Sequence, residues 1–441
     1  MKYIPKTFFK SLTIKDYGKF LFLSGVFFLP STLVVGVLFL FSASIIGSFI
    51  NKKSYLEEKW NYPFLIFGIL IVLSAILQNF ILPNIYSAVW DPKLSFIGIF
   101  NWLPFIWLFW ALQPYIDTKA KRRLFSLILI SGTFPVLITG FGQYFLDWTG
   151  PFETLNGLII WYQRPVESPG GLTGLFNHQN YAGSWLNFVW PFGIALFLER
   201  KNDLYQKISA FFLLFSIGFA TFLTYSRNAW IGLLTSLTIL AGKRIIPIFI
   251  VILIIISCIV IIVFIPISFN EIQYYLRNSL LEKILLEFSN QGYEGLDVTR
   301  LEIFSSALML IQTSPIFGLG AASFSEIFLL ETSFWKGHSH NLFLELSISY
   351  GLPATIIFFS TISMILINSG NLLFNNKNNV NSSIFDKAFW AALFFFLISQ
   401  MVDIQYFDGK ISIISWILIS GLKNIIEDNN NKTISKNIND N

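Results

Sequence analysis

The chain has 441 residues but only one cysteine and three histidines, and only 12% of it is charged. The single thiol, Cys258, lies in an unbroken apolar run, which excludes a disulfide framework and implies no redox chemistry. Charge this sparse excludes an ordinary soluble domain, which carries about twice that share. There is no His-Glu-x-x-His, no cysteine pair and no Asp-x-Asp, so no metal site and no cofactor are expected from motifs. The short alternating segments of a transmembrane β-barrel are missing, as are internal repeats and heptads. The net charge of +5 is not a nucleic-acid footprint, because its basic residues sit beside apolar spans.

What the chain does have is apolar length. It is 54% hydrophobic with a mean hydropathy of +0.63, in runs of roughly 17 to 25 residues, the length a helix needs to cross a hydrocarbon core. The fold class expected is therefore an all-α polytopic integral membrane protein forming a single membrane domain, 1–441. Spans are expected near 62–83, 95–116, 124–146, 182–198, 208–225, 229–242, 245–266, 341–366, 388–404 and 411–426. Region 17–50 reads as one long helix or a tight pair. A pair broken somewhere around Leu29 to Val35 puts the N-terminal lysines and the Lys121, Arg122, Arg123 cluster on one side, as the positive-inside rule requires. That makes about twelve spans, with both termini cytoplasmic. Residues 1–19 carry five lysines and no small-residue cleavage site, so the first span is expected to be retained.

This topology leaves eight of the 30 Lys and Arg outside, among them Lys93, Arg164, Arg227, Arg300 and Lys410. The mid-span regions read as nearly free of ionisable groups. Two outward loops stand out, 147–181 and 266–337, while 427–441 reads as a polar cytoplasmic tail. Within the second loop, Leu301, Phe304, Leu308 and Ile311 recur at helical spacing. They predict an amphipathic helix over 299–313 that lies on the membrane or caps a cavity, stopped by Pro315 and the turn Gly318-Leu-Gly320.

Polar chemistry gathers on the outward side. Arg227, between two spans with almost no loop, is read either as an interface arginine snorkelling beside Trp230 or as a ligand for an anionic group. Arg300 is read as a surface ion pair with Asp297 or, again, as an anion ligand. His338 and His340 form His-Ser-His-Asn before a span, and His178 lies in a polar turn abutting another. Guanidinium forks suit phosphate oxygens, and an imidazole suits removal of a proton from a sugar hydroxyl. That combination fits transfer of a glycan from a lipid pyrophosphate, with no need of a metal.

At these residues the chain resembles the bacterial O-antigen ligase and O-antigen polymerase family, including a cyanobacterial branch once proposed to carry bicarbonate. The matching pieces are Gly-Leu-Phe-Asn-His-Gln-Asn-Tyr-Ala (174–182), Ser-Arg-Asn-Ala-Trp (226–230), Arg300 with Ala-x6-Ser-Pro-x2-Gly-x-Gly after it, and His340-Asn-Leu-x-Leu-x-Leu followed by Tyr-Gly-Leu-Pro (350–353). The resemblance implies a glycosyltransferase of the bacterial inner membrane, without cofactors. Its donor would be an undecaprenyl-pyrophosphate-linked glycan, and its acceptor lipid A–core or another lipid-linked glycan. Carried onto this chain, His340 is the candidate base, with His338 the other candidate. Arg227 and Arg300 would bind pyrophosphate, and Asn180, Asn341 and His178 are neighbouring site residues. The alternative is a transporter of bicarbonate or another small anion.

Overall fold

The computed structural model describes residues 13–80, 86, 90–157, 159–161, 163–166, 170–199, 203–242, 247, 250, 254, 298–375 and 383–439, with side chains as far as 429 in the last segment. Cys258, Asp297 and nearly all of the expected span 245–266 lie outside the described residues. Helix α1 (Ile14–Phe28) starts at a capping box, in which Thr13 and Asp16 satisfy each other's backbone N–H groups. It turns into α2 (Leu33–Ile50) at residues 29–32, the break expected from charge. Gly36 makes that hairpin tight: a Cβ there would lie 2.8 Å from the Leu29 backbone.

Helix α3 (Asn61–Phe80) follows, then α4 (Leu94–Ile99) and α5 (Leu103–Ala111). The expected span 95–116 is thus interrupted, with Pro104 tolerated in the first turn of α5. After a 3-10 turn (Gln113–Tyr115) come α6 (Lys119–Leu146), a small hairpin of β1 (Phe152–Thr154) and β2 (Ile159–Trp161), α7 (Gln179–Leu198), α8 (Leu204–Leu223) and α9 (Arg227–Ala241). The strands pair antiparallel with Glu153 opposite Ile160. The chain continues through α10 (Arg300–Thr313), α11 (Ser323–Thr332), α12 (Leu342–Tyr350), α13 (Leu352–Phe374), α14 (Ile384–Ser399) and α15 (Gly409–Asn439). Among the described residues, eight helical stretches are long and apolar enough to cross a membrane. Helix α9, at 15 residues, reaches only about 22 Å.

Three differences from the sequence reading bear on the site. The expected span 341–366 is two helices, α12 and α13, divided at Gly351. Its φ of +86° suits glycine, and a Cβ would meet the Ile316 carbonyl at 2.1 Å. The expected span 388–404 stops early, at Ser399. Buried Gln400 turns the chain there: its Oε1 accepts the N–H groups of Gln405 (2.9 Å) and Tyr406 (3.0 Å). The amphipathic helix exists as α10, with Thr299 and Glu302 forming its capping box, but its buried stripe is Ile303, Ala307, Leu310 and Ile311. Of the expected apolar face, Ile311 is buried, whereas Leu301 and Leu308 are exposed. The stripe is rotated because α10 packs on α11 and α12 in a small core of its own with Phe324 and Phe328.

Ionisable groups inside the apolar stretches are also more numerous than expected. Glu345 on α12 and Lys423 on α15 are both buried. The starts of α7, α9, α10 and α12 gather around the end of α14. The start of α14 lies at the opposite end of the bundle, where Asp386 meets Arg122.

Candidate functional site

The site is built on the chain that leaves α14. The carbonyls just past a helix end have no partner within the helix, and here five successive residues each receive one from the start of another helix. Asn228 on α9 donates through Nδ2 to the Ser399 carbonyl (3.4 Å), and the Leu342 N–H on α12 to that of Gln400 (2.9 Å). Asn341 donates through Nδ2 to Met401 O (3.0 Å), and Arg300 on α10 through Nη1 to Val402 O (3.2 Å). Asp403 receives two groups on opposite oxygens: Asn180 Nδ2 on α7 lies 2.8 Å from Oδ2, and His340 Nδ1 2.7 Å from Oδ1. Gln405 Nε2 adds a third at 2.9 Å to Oδ2. The expected residues His338, His340, Arg300, Asn180 and Asn341 are thus brought together, and the carboxylate that joins them, Asp403, was not among those expected.

Hydrogen bonding assigns the two histidines different tautomers. A carboxylate only accepts, so His340 carries its proton on Nδ1 and leaves the Nε2 lone pair free. His338 Nδ1 instead accepts the His340 backbone N–H at 3.1 Å, which puts the neutral ring's proton on Nε2. Burial, with a smaller push from the neighbouring His340, lowers the His338 pKa to about 4 despite the attraction of Asp403, so the ring is neutral at pH 7. His340 can take a proton, and His338 can only donate one. The two rings meet edge to face with centroids 4.5 Å apart. His340 itself has a φ of +56°, a left-handed conformation that costs a non-glycine residue about 1–3 kcal/mol. It is held by Asn341, the N-cap of α12, and by Ser339, whose N–H donates to Glu345 Oε2 at 2.8 Å.

Burial raises the Asp403 carboxyl, but the hydrogen bond and charge of His340, with His338 and Arg300, outweigh it and leave the group below the ordinary carboxylate range. Burial lowers the Arg300 pKa; Asp403 opposes this and the charge of Arg227 adds to it, which puts the two guanidinium groups within electrostatic reach of one another. Arg227 is the first residue of α9. Tyr225, two residues before it, has a φ of +52° and shares a 2.7 Å hydrogen bond with the Tyr144 hydroxyl. His178, the N-cap of α7, accepts the Asn180 N–H on Nδ1. Its pKa is lowered by burial and, less, by Arg164, against the pull of Asp403. The positive ends of four helices therefore face the same place as two arginines, an arrangement suited to an anion.

His338, His340 and Asp403 also have the composition of a metal site, with ligand atoms within 4.8 Å of one another. The hydrogen bonds above engage both Nδ1 atoms and put the His338 proton on Nε2, so what this set offers a cation is Nε2 of His340 and the remaining lone pairs of Asp403.

The sequence did carry a signal for Asp403. It is the sole charged residue in the apolar stretch 388–404, and an ionisable group in such a stretch is costly unless it has a function. Asn228 and Gln405 gave none, since amides near helix ends are common.

Residues 210–359, about a third of the chain, match the family model described as O-antigen ligase. No curated protein matches the chain at a significant level. The matched stretch includes Arg227, Arg300, His338, His340 and Asn341, and it lends no support to the anion-transporter alternative. The family first suggested by four short motifs is thus the one whose model this stretch of the chain resembles.

Proposed function

We propose that the protein is a membrane glycosyltransferase that moves a glycan from an undecaprenyl-pyrophosphate donor to a lipid or glycan acceptor at the periplasmic face. The observation that carries this reading is the His340–Asp403 pair, with Nε2 of His340 left as an acceptor beside Arg300 and Arg227. An imidazole oriented by a carboxylate is a general base for a hydroxyl. His340 Nε2 takes the proton of the acceptor hydroxyl, and the acceptor oxygen forms a bond to the anomeric carbon of the donor sugar. The bond from that carbon to the pyrophosphate oxygen breaks, and undecaprenyl pyrophosphate leaves with the electron pair. Asp403 stabilises the imidazolium that results. Arg227 and Arg300 bind the dianionic pyrophosphate of the donor and offset the further negative charge that develops on it as it leaves. A single displacement, in which the deprotonated acceptor oxygen attacks from the face opposite the leaving group, gives inversion at the anomeric carbon. His338, with its proton on Nε2, is a donor to substrate oxygen.

The test is the surface glycan profile of a deletion strain complemented with wild type, His340→Ala or Arg300→Ala. Loss of chain length to single repeat units, restored by wild type and by neither variant, identifies polymerisation. Full-length glycan held on its lipid carrier identifies ligation. Restoration of a normal profile by His340→Ala, at wild-type protein levels, would overturn the proposed base.

A further inference from the structure

The end of the bundle opposite His340 contains a cavity of about 250 Å³, bounded by the start of α1, the end of α2, the 3-10 turn and α15. Four carboxylates line it, and each is already matched. Lys423 Nζ lies 2.6 Å from Glu58 and 2.7 Å from Glu427, and Lys53 lies 2.8 Å from Glu427. Asp117 has Lys121 at 2.6 Å, and Asp428 has Arg122 at 3.5 Å. The remaining polar lining groups include three lysines and the amide of Gln113.

Gln113, only 5% exposed, accepts Lys423 Nζ on Oε1 at 2.7 Å. That contact fixes which way the amide points, and it leaves Nε2 a buried donor with no acceptor. Lys15 and Lys52 line the same cavity, with no ion-pair partner among the described residues. At the rim the surface turns apolar: Ile50 lines the cavity, neighbouring Phe49 is 80% exposed, and Tyr17, one half-turn beyond Lys15, is 53% exposed.

We propose that the cavity between Lys15, Lys52 and Gln113 binds a phosphate anion, either the headgroup phosphate of an anionic lipid or a free phosphate ion. Two ammonium groups supply charge, and the amide N–H supplies the directional donor that a phosphate oxygen accepts. A basic pocket between membrane helices is a known physical setting for an anionic headgroup, and the exposed Phe49 and Tyr17 would lie along its acyl chains.

The experiment follows thermal unfolding of the full-length protein in detergent during titration with phosphatidylglycerol, phosphatidylcholine or inorganic phosphate. A saturable rise in Tm with phosphatidylglycerol and not phosphatidylcholine is expected, with half-saturation at least about tenfold weaker in Lys15→Glu/Lys52→Glu. Gln113→Glu keeps the oxygen that Lys423 needs and replaces the donor, so it weakens binding as well. Lys59→Glu, at the same end but outside the cavity, leaves binding unchanged. An equal, lysine-dependent rise with inorganic phosphate alone assigns the site to the free ion. If the double variant does not fold, Lys15→Gln and Lys52→Gln are compared singly. No rise with either ligand, or as large a loss in Lys59→Glu as in the lysine-lining variants, overturns the proposal. None of these readings depends on glycan transfer, so failure here leaves the transferase reading intact.

Discussion

Charge is handled differently at the two ends of the bundle. At one end, Arg122 is fully buried and held by Asp386 at 2.6 and 3.3 Å, and Arg123 forks onto Glu199 with both contacts at 2.8 Å. At the other, Arg300 meets a backbone carbonyl, and the Asp403 carboxylate bonds to an imidazole and two amides. Around Arg122 and Arg123 the cations are closed off, and a ligand has nothing to gain from them. Around Arg300 the guanidinium meets a carbonyl oxygen and feels Asp403 only at a distance, and in the proposed function an anionic substrate adds to these. Buried ion pairs set the geometry of a helix bundle; incompletely offset charges recruit ligands.

The comparison breaks most readily at Asp403. Asp403→Asn can present an N–H to His340 and so favour the wrong tautomer, and turnover is expected to fall by about 10²–10⁴-fold with a much smaller change in Tm. Turnover within a fewfold of wild type would show that the pair does not orient the base. Next in size, Arg122→Ala leaves Asp386 buried without its partner and is expected to cost about 3–5 kcal/mol of stability. The surviving folded protein should keep wild-type turnover, measured per folded molecule. Equal loss of turnover would mean the two ends are coupled.

A smaller effect belongs to His338. Its folded pKa lies near 4 against 6.5 in the unfolded chain, so between those values the unfolded state binds the extra proton. Stability should therefore rise with pH across about pH 4 to 6.5, by at most about 3 kcal/mol. His338→Gln, which cannot titrate, should flatten that part of the curve in melts taken at each pH. The smallest expected effect is that of a chelator, which should change turnover by less than about twofold. Loss of turnover on chelation, restored by a divalent cation, would assign His338, His340 and Asp403 to a metal centre.

Local signals in the sequence led to the correct elements wherever those elements are set by their own residues. The α1–α2 break followed from where lysines and arginines can lie, and α10 from its apolar spacing and its stop at Pro315. His340, Arg300, Asn180 and Asn341, which the structure brings together, were singled out by polar groups at helix mouths in so apolar a chain and by the motifs of the resemblance. Features set by distant contacts were not legible. Gly351 divides a span because the Ile316 carbonyl occupies the space of a side chain. Ser399 ends α14 because Gln400 folds the next residues back. Spacing showed that α10 has an apolar face, of Leu301, Phe304, Leu308 and Ile311, whereas which residues are covered depends on α11 and α12.

The early end of α14 also fixes a depth. From Ile384 to Ser399 the helix rises about 24 Å, in a hydrocarbon layer about 30 Å thick. With the Arg122–Asp386 pair at one boundary, the Asp403 loop begins several ångströms short of the other. Chemistry placed there is level with the upper acyl chains and headgroups. In the proposed reaction a pyrophosphate that stays in the leaflet would reach His340 without lifting its prenyl tail out of the bilayer, whereas the acceptor would have to bring its hydroxyl down to that level.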